Sequence, residues 1–252
     1  MRAWSFMALA LVNVSWLLLG AVARAELPAQ CAVAENFTDP DFALPNTTAA
    51  IGKKKLTILV LGAGSSTLQG AVQKAYPARL QVALQASLPG VEVAVHSDAK
   101  QGRDAGQAVA NLVQDLGAYR PALVVWQTGT IEAMRGLDPD NFSATLDKGI
   151  DTAKAAGADV VLVNAQYSPH TESIIALGVY ADHMRWAALR HDVPLFDRYG
   201  IMKLWAELGT FDFRTPTNKL DMAEHVHDCL GRLLAELIVR SATSGGAPPG
   251  VR

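Results

Sequence analysis

Cysteine is nearly missing from this chain: Cys31 and Cys229 are its only two in 252 residues. That excludes a disulfide-dense small scaffold and any multi-cysteine zinc module. An excess of one charge is missing too. Lys and Arg number 22 and Asp and Glu 24, for a net charge of −2, with no block of like charges. No nucleic-acid partner and no attraction to an acidic membrane surface are therefore expected. After the N-terminal segment, no apolar run is long enough to span a bilayer. No internal repeat is visible.

Hydrophobic residues make up 50% of the chain, enough to bury a sizeable core in one domain, with or without arms. The N-terminus reads MRAWSFMALALVNVSWLLLGAVARA. Arg2, the apolar stretch and Ala23-Arg24-Ala25 match the charged region, apolar region and cleavage site of a secretory signal. Cleavage after Ala25 is expected, with a mature chain that is periplasmic or secreted and carries no membrane span. The alternative is a retained anchor, because Phe6 to Val22 is near the lower length limit for spanning. In an oxidising compartment the two cysteines predict one bridge, Cys31–Cys229, from an N-terminal arm to the last helix. Otherwise they are two unpaired thiols. Glycosylation triplets start at Asn36, Asn46 and Asn141, and matter only on a eukaryotic secretory route.

Residues 26–53 are rich in Pro, Asn, Thr and Ala without a clear period, and read as an arm or linker. From Leu56 the chain alternates. Strands are expected at 56–62, 91–97, 122–128, 158–164 and 193–198. Helices are expected at 77–88, 104–119, 141–157, 179–192 and 222–240. The tail, 241–252, reads as disordered. Several strands are apolar throughout, as in a parallel sheet covered on both faces. The alternation predicts an α/β domain over 54–240, doubly wound around about five parallel strands. Sites in such sheets lie at the carboxyl ends of the strands. The loops after Leu61, Ser97, Thr128 and Asn164 are the places to look.

Those loops carry GAGSST from Gly62, SDAKQGRD from Ser97 and QTGTIEAMRG from Gln127. Here the chain resembles the SGNH (GDSL) hydrolase family over nearly all of residues 55–240. The resemblance implies a flavodoxin-like three-layer fold and a serine nucleophile after the first strand. It also implies an oxyanion hole built from the serine N–H, a glycine N–H and an Asn side chain. Ser65 is the preferred match to the nucleophile and Ser66 the next. Both also suit a helix N-cap in a glycine-rich turn. Gly102 falls where the oxyanion-hole glycine belongs. GTIEAMRG is similar to the family's G-x-N-D-x-x-R-G, with Ile131 for Asn, Glu132 for Asp, and Arg135-Gly136 retained. The family's D-x-x-H maps to Asn218-Lys219-Leu220-Asp221, so both the orienting carboxylate and the base are replaced. Asp221 and Glu224 can also be read as a capping box.

A base must then come from elsewhere. His225 and His227, in the first turns of the last helix, are the candidates, expected to flank the buried stripe of Val226, Leu230, Leu233 and Leu237. His96, near the end of the second strand, is a third. An i, i+2 His pair makes a poor metal site, so no metal or other cofactor is expected. Gln127, Glu132, Gln166, Tyr167 and His170 lie at strand ends and suit a polar ligand, including a carbohydrate. Trp126, Trp186 and Trp205 lie in apolar-periodic segments and read as core. Three functional readings stay open. One is an exported, slow ester hydrolase acting on a small acyl ester or an acetylated carbohydrate. The others are a catalytically silent binding protein on the same scaffold, and a structural envelope protein.

Overall fold

A computed structural model describes residues 27–215 and 218–243. The expected signal segment and the end of the tail lie outside the described residues. Five strands form one sheet: β1 (Lys55–Gly62), β2 (Glu92–Ala99), β3 (Leu123–Gln127), β4 (Asp159–Val163) and β5 (Leu195–Phe196). All pairings are parallel, in the order β2-β1-β3-β4-β5. Side chains alternate across the sheet, and both faces are apolar. Along β1, Leu56, Ile58 and Val60 enter one core, while Leu59 and Leu61 enter the other. Along β3, Leu123 and Val125 oppose Val124 and Trp126. Such strands need helices on both sides.

One face is covered by α2 (Tyr76–Ser87), α8 (Arg198–Glu207) and α9 (Lys219–Thr243), through Leu80, Leu84, Trp205, Leu230 and Leu233. The other is covered by α3 (Ala105–Tyr119), α5 (Pro139–Ala155) and α7 (Leu177–Arg190), through Leu112, Leu146, Ile150 and Met184. Short helices α4 (Thr130–Arg135) and α6 (Pro169–Glu172) cap the ends of β3 and β4. This is the three-layer α/β fold expected. The Cys31–Cys229 bridge is also present, with a Cα–Cα distance of 5.0 Å.

Four details differ from expectation. Residues 27–53 pack onto the domain and contain a helix, α1 (Pro45–Gly52). No local residue caps it. Its cap is Asp159, which accepts the Thr47 N–H and hydroxyl at 2.7 and 2.9 Å and the Asn46 amide at 3.0 Å. With the cap supplied by a distant residue, Pro45 at the first position is the one local start signal. Second, α8 follows the two-residue β5 without an intervening loop. Third, Trp186 is 62% exposed, whereas Trp126 and Trp205 are buried. The buried face of α7 is Tyr180, Ala181, Met184, Ala187 and Ala188. Trp186, two residues past Met184, falls on the opposite side at ~100° per residue. Fourth, α9 begins at Lys219. Asn218 Oδ1 accepts the Asp221 N–H at 3.2 Å, and Glu224 pairs with Lys74 at 2.6 Å, so the Asp221–Glu224 capping box does not form.

The strand order fixes where a site belongs. From β1 the chain moves outward to β2, then crosses back to β3 on the other side of β1. Connections therefore diverge between β1 and β3, which opens a crevice at their carboxyl ends.

Candidate functional site

Leu61 pairs with Trp126, so Gly62 and Gln127 end neighbouring strands at that crevice. Past Gly62 the chain turns through a single 3-10 turn, Gly64–Ser66. The turn is organised by one buried oxygen. Gln127 Oε1 accepts the Ala63 N–H at 3.2 Å, the Ser65 hydroxyl at 3.2 Å and the Ser66 hydroxyl at 2.8 Å. Ser66 Oγ also lies 3.1 Å from the Tyr76 hydroxyl. Gly62 is required by this packing: a Cβ there would stand 2.2 Å from Ser66 Oγ.

The two serines are not equivalent. Ser66 is 1% exposed and held between Gln127 and Tyr76. Ser65, at the crevice end of β1, is half-buried. Beneath it lies Arg198, the first residue of α8 and only 1% exposed. Arg198 Nη1 donates to Ser65 Oγ at 3.4 Å. Nη2 donates to the Ser65 carbonyl and to Gln166 Oε1, both at 3.1 Å. The guanidinium carbon lies 5.8 Å from the centre of the Tyr76 ring. Burial lowers the Arg198 pKa to about 10 and raises that of Tyr76 above its usual 10.0. Arg198 is held in place from behind. Asp197 caps α8 by accepting the Gly200 N–H at 2.9 Å, and Asn164 donates to Asp197 at 2.6 Å while accepting the Tyr199 N–H at 2.8 Å.

The second and third loops close the crevice on its β2 side. A Cβ on Gly64 would lie 3.5 Å from Gln101, so the loop carrying Gly102 abuts the serine turn. Gly102 has φ +72°, a left-handed conformation that suits glycine. Arg135 binds the Gly102 carbonyl at 2.8 Å and Asp104 at 2.6 Å, which ties α4 to that loop. Glu132, in the family's Asp position, is buried and turned away from the crevice. It accepts the Ala105 N–H at 2.5 Å, the Thr128 hydroxyl at 3.0 Å and the Gly129 N–H at 2.8 Å, locking the starts of α3 and α4 together. Its contacts are those of a scaffold group and not of the ligand-facing group expected. Ile131, matched in sequence to the family's Asn, is half-buried, and its side chain has no N–H or O–H to offer.

The histidines are dispersed. His227, expected beside the buried stripe, lies within it at 5% exposure. Its Nδ1 accepts the Tyr76 N–H at 2.9 Å, and burial, then Arg198, lower its pKa to about 3. The ring is neutral with its proton on Nε2, so its one lone pair is engaged. His225 is exposed, 3.8 Å from Asp221. His96 stacks on Tyr119 at 4.4 Å, and His170 is exposed on α6. Tyr167 belongs to the core, edge-on to Tyr199. Among the described residues, therefore, Ser65 and Ser66 are bonded to Gln127, Tyr76 and Arg198 and not to an imidazole.

Sequence reasoning missed Arg198 and Tyr76. FDRYG ends the fifth strand at the same edge of the sheet as the loops singled out in the sequence. An Arg directly after an apolar strand and an Asp cap was the available signal.

Known proteins share this arrangement of elements. A segment of 114 residues is 32% identical to an arylesterase of Vibrio mimicus; it covers 45% of this chain and 56% of that protein. Among solved structures, TesA superposes with a TM-score of 0.58 at 23% identity, over 72% of this chain and 99% of TesA. A catalytic mutant of Axe2, an acetylxylan esterase from Geobacillus stearothermophilus, superposes with a TM-score of 0.57 at 16% identity, over 78% of this chain and 97% of Axe2. These likenesses concern the fold. The non-GDSL lipase-like family matches residues 30–244, from the first turn before Cys31 to the end of α9, and on that match the chain belongs to this esterase- and lipase-like branch of the SGNH hydrolases.

Proposed function

We propose that this chain is an exported, slow hydrolase of small acyl esters or acetylated carbohydrates, with Ser65 as the nucleophile. The observation that carries the reading is the contrast between two adjacent hydroxyls. Ser65 is half-buried at the crevice where β1 and β3 diverge, while Ser66 is enclosed by Gln127 and Tyr76. Of the two, Ser65 is the more exposed, and it is the one assigned here to attack the ester carbonyl. Gly102, beside the serine turn, is the second oxyanion-hole donor of the proposal. Slowness follows from what stands around them. Ile131 supplies no donor, and a missing oxyanion donor typically costs about 10²–10³ in rate. Export is supported by the signal-like N-terminus and by the Cys31–Cys229 bridge, which suits an oxidising compartment.

A second reading, a silent binding protein, is favoured by one observation: His227 is held on Tyr76 N–H, away from proton transfer at serine. Hydrolysis of phenyl acetate and of an acetylated xylo-oligosaccharide separates the two. The hydrolase reading expects a slow turnover that Ser65→Ala abolishes and Ser66→Ala leaves measurable. Turnover unchanged in a folded Ser65→Ala protein, or no turnover with binding of the oligosaccharide retained, favours the silent reading.

A further inference from the structure

A serine without an imidazole partner still has to lose its proton before it attacks. We propose that Arg198 is a catalytic residue, whose buried guanidinium stabilises the alkoxide of Ser65 so that solvent hydroxide can take the proton. This rests on the ester-hydrolase reading above and names the group that makes it work.

Three observations carry it. First, Arg198 Nη1 points at the Ser65 Oγ, 3.4 Å away, and Nη2 holds the same residue by its carbonyl at 3.1 Å. The cation is aimed at the atom on which negative charge forms. Second, its charge is not neutralised. Among the described residues Arg198 makes no ion pair; its acceptors are a hydroxyl, a carbonyl and an amide. The adjacent carboxylate, Asp197, is bonded to Asn164, Gly200 and Arg185 instead. Arg198 Nε is buried with no hydrogen-bond partner. The other titratable groups facing it, Tyr76 from α2 and His227 from α9, carry no negative charge near neutral pH. Third, the position is dry, at 1% exposure. A buried cation without a counterion is costly, and the cost falls when an anion forms beside it. In low dielectric the attraction between such a pair is far stronger than in water.

The step balances without an added reagent. Hydroxide removes the Ser65 proton as water. The alkoxide oxygen forms a bond to the acyl carbon, and the acyl C–O bond to the alcohol breaks, leaving acyl-Ser65; the departing alkoxide takes a proton from water and returns the hydroxide, or leaves as phenoxide. A second hydroxide attacks the acyl carbon of that ester, the bond from the acyl carbon to Ser65 Oγ breaks, and the released Ser65 alkoxide is reprotonated by the carboxylic acid or water. Arg198 remains protonated throughout and shuttles no proton.

The test is the pH profile of phenyl acetate hydrolysis, with labelling of Ser65 by a fluorophosphonate read by peptide mass. The parent is expected to show a rate rising about tenfold per pH unit between pH 6 and 9, as hydroxide does, with no inflection near the ordinary imidazole pKa of ~6.5. Arg198→Met should lower both kcat and the labelling rate by about 10²–10³ with KM little changed, and Arg198→Lys should recover part of the loss. Circular dichroism melts establish that each variant is folded. A folded Arg198→Met protein that labels and turns over like the parent overturns the inference while leaving the hydrolase reading intact. An inflection near pH 6.5 that His227→Gln removes overturns it in favour of an imidazole base. A parent whose Ser65 neither labels nor supports turnover overturns both readings.

Discussion

His227 accepts the backbone N–H of Tyr76 through Nδ1 at 2.9 Å, and this bond joins the last helix to the start of the helix after the serine turn. It also fixes the ring in one protonation state. Tyr76 N–H belongs to the first turn of α2, where backbone donors lack partners within the helix. An imidazole lone pair fills that role, so His227 serves the fold.

That role makes stability depend on pH. The His227 pKa falls from 6.5 to about 3 on folding, through burial first and Arg198 second. A lowered pKa means that the unfolded chain binds the proton more tightly. The contribution is therefore fully present above pH ~6.5 and declines as pH falls toward ~3, at roughly 1.4 kcal/mol per pH unit within that window. Thermal melts between pH 7 and 4 should show a falling Tm in the parent and a flatter profile in His227→Gln, whose amide oxygen can still accept the Tyr76 N–H. An equal slope in both would assign the pH dependence to other groups.

Glu132 gives a second prediction. Its carboxylate satisfies Ala105 N–H, Gly129 N–H and the Thr128 hydroxyl, all in the interior. Glu132→Ala leaves those donors without a partner, at an expected loss of about 3 kcal/mol in urea unfolding. Glu132→Gln keeps one acceptor oxygen and should lose less. Exposure of Glu132 to substrate would instead leave stability unchanged and alter KM.

The third prediction is a repair. Ile131→Asn restores an oxyanion donor, and Asn218→Asp with Asp221→His restores the carboxylate and base of the family pattern. Such groups act as a unit, so single changes should do little and the triple variant more than their sum. Phenyl acetate turnover should rise at least about 10²-fold over the parent, gain an inflection in the imidazole range, and vanish with a further Ser65→Ala. A folded triple variant without gain would mean that residue 221 cannot reach Ser65 from the exposed first turn of α9.

The sheet was legible in the sequence because several strands are unbroken apolar runs, and a doubly covered parallel sheet accommodates them. The bridge followed from two cysteines and a signal-like N-terminal sequence. The elements that escaped depended on distant partners. Helix α1 takes its cap from Asp159 across the sequence, and no local pattern carries that information. At the site, the serine turn was visible as a break after an apolar strand. Arg198 was not, because a charged side chain normally reads as surface. Its burial requires Ser65, Gln166 and Tyr76 to converge from three separate segments. Trp186 erred the other way: its neighbours are apolar, but helical phase turns it outward.

The bond between Cys31 and Cys229 joins residues 198 positions apart, and all five strands lie between them. The domain is thus a covalent ring. A single cut by a protease in any loop of that ring, including the serine turn, leaves one molecule with its two pieces still attached. Release of a fragment then requires a second cut or a reductant, and an oxidising compartment withholds the reductant.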